Sequence, residues 1–166
     1  MTKTTGWKLP LLLCALIIGA TVIISWFLPA KNTLELPEDL LNKAQTLRID
    51  MHKPQNKDWQ EKIIAAASGF RQQEVKDMQL SDLATAANAN KNYEAAFSAL
   101  IQIRTLPQRE KLAQALFETA IKNCADLPWG VFALKTINSG DLQDSLSKVL
   151  IEQWNICKNK DAIQTN

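Results

Sequence analysis

The chain has 166 residues, enough for about one domain. Its 19 basic and 17 acidic residues leave a formal net charge of +2, too balanced for a polybasic nucleic-acid binder. With 46 % hydrophobic and 22 % charged residues, 5 Gly, 6 Pro and one His, the composition excludes wholesale disorder, low-complexity chains and a multi-histidine metal site.

Residues 9–28 read LPLLLCALIIGATVIISWFL, without a single charge. A helix of that length is about 30 Å long, the thickness of a bilayer's hydrocarbon core. Trp7 and Trp26 are then about 28 Å apart along the axis, one at each membrane–water interface. Pro10 fits the first turn of this helix and Pro29 ends it. A cleaved secretory signal would have a shorter apolar run and small residues at its end, whereas here Leu28-Pro29-Ala30 follows. Ala15 and Gly19 form a small-xxx-small pair of the kind that lets two anchors approach closely; the alternative is that they are ordinary small lipid-facing residues.

Flanking charge orients the anchor. Lys3 and Lys8 precede it with no acid, while Glu35, Glu38 and Asp39 follow it. The positive end stays in the cytoplasm, which puts the rest in the periplasm of a bacterium. The expected layout is a cytoplasmic tail over 1–8, a transmembrane anchor over 9–28, a linker over 29–37, a periplasmic helical domain over 38–157 and a flexible tail over 158–166. Beyond Lys3 and Lys8 the basic and acidic residues cancel, so the displayed domain is neutral.

The domain reads as six or seven short antiparallel helices, and nothing alternates with period two. Leu40, Ala44, Leu47 and Met51 mark the first helix, after Pro37. Trp59, Ile63, Ala66 and Phe70 mark the second, with Asp58 and Glu61 spaced as a capping box. Leu83, Ala86 and Ala87 suggest a short helix after Ser81. Tyr93, Phe97, Leu100 and Ile101 share one face, and Leu112, Leu116, Ala120 and Ile121 share another in a helix begun by Pro107. Val131, Leu134 and Ile137 follow Asp126 and Pro128. Leu142, Leu146, Val149, Leu150 and Trp154 mark the last helix, after Gly140.

A 34-residue offset pairs Ala99 with Ala133, Leu100 with Leu134, Ile103 with Ile137, Leu112 with Leu146 and Leu116 with Leu150. Together with the segment Asn92-Tyr93-Glu94-Ala95-Ala96, this resembles the tetratricopeptide-type repeat over about 70 residues. The resemblance implies an array of helical hairpins; an irregular helical bundle is the alternative. It implies no particular activity, because the repeat is a scaffold.

Cys124 and Cys157 each end a helix, almost one repeat apart, and are a candidate disulfide in an oxidising compartment. Cys14 lies within the anchor. No catalytic, cofactor or metal residue is nominated. His52 reads as a solvated loop residue, Ser145-x-x-Lys148 lacks the companion motifs of serine acyl enzymes, and the acid pairs Glu74/Asp77, Asp141/Asp144 and Glu110/Glu118 read as solvated helix faces. Trp129 and Phe132 are the candidate partner-binding residues, since the apolar positions around them wrap most of a helix. The expected function is a non-enzymatic accessory or scaffold subunit of an envelope assembly (secretion, conjugation or cell wall). Its partners are another envelope protein and the bilayer through residues 9–28, not nucleic acid. An anchored immunity protein against a periplasm-acting toxin is the alternative, and a wall-acting enzyme a distant third.

Overall fold

Pro37 opens the first of seven α-helices in the computed structural model, which describes residues 35–164. They are α1 (Glu38–Thr46), α2 (Lys57–Gly69), α3 (Gln73–Ala89), α4 (Tyr93–Leu100), α5 (Leu106–Ala120), α6 (Leu127–Thr136) and α7 (Gly140–Gln164). Two 3-10 turns, Pro54–Asn56 and Cys124–Asp126, lead into α2 and α6. Among the described residues there is no strand, so the all-α expectation holds. No described helix is long and apolar enough to cross a membrane. The proposed anchor over 9–28, with Trp7, Cys14, Ala15, Gly19 and Trp26, lies outside the described residues.

Each helix packs on its successor from α2 to α7, and α2 also touches α4 as α3 touches α5. The buried side chains form one core in which Phe97, Phe117, Leu100, Leu116 and Leu150 are almost fully enclosed. The residues matched at the 34-residue offset fall on this core: Ala99, Leu100, Ile103 and Leu116 are buried, and so are Ala133, Leu134, Ile137 and Leu150. Gly130 lets α6 approach its neighbours closely, since a Cβ there would stand 3.2 Å from Leu150 Cδ1 and 3.6 Å from Phe117 Cδ2.

The first helix does not extend the stack in sequence order. It packs instead on α6. Its Asp39 accepts hydrogen bonds from Trp154 Nε1 at 3.1 Å and Lys158 Nζ at 2.7 Å, both on α7. Lys43 caps the Trp154 ring at 4.8 Å. The start of the domain is thereby fastened to its end.

Several boundaries differ from the periodicity. The first helix stops at Thr46, and Leu47 turns extended, so that Ile49 and Met51 pack against the core from the loop and turn after α1 rather than from a helix face. Asp58 and Glu61 form no capping box: Asn56 occupies the N-cap of α2 and makes no side-chain cap bond. The short helix after Ser81 is the second half of α3, which starts at Gln73. Ile101 leaves the buried face of α4 and is 57 % exposed, because the helix ends at Leu100. The expected tail from residue 158 is helical as far as Gln164, in a stretch with no Gly or Pro to stop it.

Candidate binding surfaces

Asp77 sits on α3 and is fully buried. Its carboxylate accepts from the backbone N–H of Arg104 at 3.1 Å and of Thr105 at 2.8 Å, from the Thr105 hydroxyl, and from Gln73 Nε2 at 2.7 Å. Desolvation pushes its pKa up, but these donors outweigh it and hold the carboxyl below its usual range. The expectation of a solvated acid pair with Glu74 is wrong for Asp77, whose role is to fasten the α4–α5 loop. Glu110 on α5 repeats the arrangement one hairpin later. Its Oε1 accepts from the N–H of Asn138 at 2.7 Å and of Ser139 at 3.1 Å, in the α6–α7 loop.

Beside Asp77 lies a cavity of about 440 Å³. Lys76, Arg104 and Arg109 line it with Leu80, Ile101 and Gln102. Among the described residues none of these three cations pairs with a carboxylate. Arg109 Nε is buried with no hydrogen-bond partner. The sequence reading missed this cluster because it weighed net charge, which averages to zero over the domain. A local signal exists: Arg71, Lys76 and Asp77 recur as Arg104, Arg109 and Glu110, 33 residues on.

The opposite end of the helices is organised by caps. Asn56 is fully buried ahead of α2. Its Nδ2 donates to the Asp50 carbonyl at 2.6 Å and to Glu94, while its Oδ1 accepts from Asn92 at 3.0 Å. Asn92 in turn caps α4, accepting from Ala95 N–H at 3.1 Å. Lys53 pairs with Glu94, and that contact raises the lysine's pKa. Tyr93 donates to Asp126, the N-cap of α6, at 3.3 Å. Burial, with help from the Asp126 charge and this bond, pushes the Tyr93 hydroxyl up to about 12.

Trp129 is half-buried and stacks on Tyr93 and Phe97, with ring centroids 5.7 and 5.6 Å away. Phe132 packs on Trp129 at 5.4 Å and Phe97 at 5.8 Å. The four rings join α4 to α6, and Trp129 also lines a second cavity of about 400 Å³ with Tyr93, Glu94 and Lys91. Cys124 and Cys157 are joined in a disulfide with Cα atoms 5.7 Å apart, tying the turn before α6 to α7. The bridge borders a cavity of about 590 Å³ that Asp39, Trp154 and Lys158 also line.

The weak catalytic candidates gain no partners. His52 is exposed in a loop, and Ser145 and Lys148 are exposed on α7. Among the described residues no group of three His, Cys, Asp or Glu side chains is placed to hold a metal ion. No protein-family model, curated protein or solved structure matches the chain.

Proposed function

We propose that this chain is a single-pass inner-membrane protein whose periplasmic domain is a tetratricopeptide-like array of helical hairpins, serving as an accessory or scaffold subunit of an envelope assembly. The observation that carries the array reading is the recurrence of one fastening device: Asp77 to the α4–α5 loop, then Glu110 to the α6–α7 loop. Such translation-like repetition is how solenoids stack hairpins, and solenoids work as binding surfaces. The Cys124–Cys157 bridge favours an oxidising compartment, in keeping with the basic residues ahead of the apolar run. Trp129, beside a cavity and backed by stacked rings, is a rigid aromatic of the sort that anchors partners.

Crosslinking in intact cells, followed by mass spectrometry of the captured proteins, tests the reading. Envelope proteins captured through the domain, and lost with Trp129→Ala, support it. Capture of cytoplasmic proteins alone overturns both the topology and the role.

A further inference from the structure

We infer that the cavity formed by Lys76, Arg104 and Arg109 is an oxyanion site that takes the phosphate of an anionic lipid headgroup, docking this end of the domain on the membrane surface. Three cations line one cavity, and none meets a carboxylate among the described residues. Cations gathered at one cavity and left without carboxylate partners are suited to a phosphate oxyanion, which forms charge-assisted hydrogen bonds with them. The acids next to Lys76 and Arg109 in sequence, Asp77 and Glu110, do not fill this role, because each carboxylate is already bonded to a loop.

The surroundings select a lipid over free phosphate. Ile101 on the cavity wall is 57 % exposed, and Leu106, just past the same loop, is 41 % exposed. Phe70 ends α2 one turn beyond the cavity-lining Ala67 and is also 41 % exposed. Large apolar side chains beside a cluster of cations are the composition of an interfacial membrane contact, in which the chains enter the acyl boundary while the cations meet headgroups. A soluble phosphate would leave them in water. This inference rests on the anchored topology proposed above, which keeps the domain within reach of a bilayer.

The full chain, carrying Cys14→Ala and Leu106→Cys labelled with an environment-sensitive dye, is reconstituted in nanodiscs of phosphatidylcholine alone or with phosphatidylglycerol. The dye should shift to the blue only with phosphatidylglycerol, and the shift should fade as salt rises. Arg104→Ala combined with Arg109→Ala should lower the docked-to-free ratio about 25-fold, at about five-fold for each cation lost. Equal shifts in both lipids, no shift in either, or a shift that survives the double substitution overturns the inference. Inorganic phosphate that binds through the same arginines, with no lipid-dependent shift, overturns it in favour of a soluble ligand. Failure of the chain to enter discs at all refutes the anchor instead, and is read separately by co-elution with the disc scaffold.

Discussion

Asp77 and Glu110 do the same thing one hairpin apart: each carboxylate accepts the two consecutive backbone N–H groups of the next hairpin's loop. They differ in enclosure. Asp77 is fully buried and also holds Gln73 and the Thr105 hydroxyl, whereas the Glu110 bonds are exposed. Asp77→Ala should therefore cost about 2–4 kcal/mol, by leaving several donors without their charged acceptor. Glu110→Ala should cost about 1 kcal/mol or less. Urea unfolding of the two variants checks the ranking, and equal losses would contradict the division of roles.

The same carboxylate sets a pH dependence. Its folded pKa lies below the ordinary value of 3.8, so the unfolded state takes up the proton first as pH falls. The stabilisation is present in full above that ordinary value and is lost as pH drops through the folded one. Asp77→Asn should be markedly less stable than the parent at neutral pH, and the gap should narrow in strong acid. A gap independent of pH would show that shape, not charge, matters at this position.

Tyr93 is the chain's one tyrosine, so its ionisation is read without interference from another phenol. In the folded protein the near-ultraviolet tyrosinate signal should appear toward about 12, against an ordinary 10.0. Because the folded pKa is raised, the contribution to stability is complete below the ordinary value and disappears as pH climbs between the two. Asp126→Asn removes the neighbouring negative charge and should bring the midpoint down toward the ordinary value. An unchanged midpoint in that variant would assign the shift to burial alone.

Helix number and class were legible because Leu100, Leu116, Leu134 and Leu150 keep helical spacing and all reach the core. Helix ends were less legible, because they depend on tertiary contacts. Met51 continues the periodicity of α1 yet packs on the core from a turn beyond that helix, and Ile101 continues that of α4 yet faces water. Spacing near one repeat made Cys124 and Cys157 a candidate pair and no more, because whether they meet depends on how the two helices stack; the bridge forms with Cα atoms 5.7 Å apart. The cluster of Lys76, Arg104 and Arg109 did not show in a net charge, since charge sums discard position. Only a register in which residues 76 and 109 are equivalent makes it visible.

Lys91 adopts a left-handed backbone with φ 56°, the one described non-glycine residue to do so. Its N–H bonds to the Asn88 carbonyl at 2.9 Å, and the Asn92 N–H to the Ala87 carbonyl at 2.9 Å, which is the Schellman ending of α3. Glycine is the natural residue there, since a Cβ costs about 1–2 kcal/mol in this conformation. Lys91→Gly should accordingly stabilise the domain by about 0.5–1 kcal/mol, after the greater chain entropy of glycine is deducted. Thermal unfolding measures it. If Lys91 also serves partner binding beside Trp129, the more stable variant should capture less partner in the crosslinking experiment.

The disulfide closes a 33-residue separation that contains the last 3-10 turn, all of α6 and most of α7 up to Cys157. In the chain-entropy treatment, a loop of that size is worth about 3–4 kcal/mol. Reduction should lower stability by about that amount and should act first where α7 meets the turn, freeing the C-terminal half of α7. The Asp39 bonds to Trp154 and Lys158 flank the bridge, so α1 should loosen with it. Hydrogen exchange of the reduced domain should show lost protection in α1 and after Leu150, with the core of α3 to α5 retained. Uniform loss across all helices would mean instead that the domain unfolds as one unit, and that the bridge acts on the unfolded chain without any local seam.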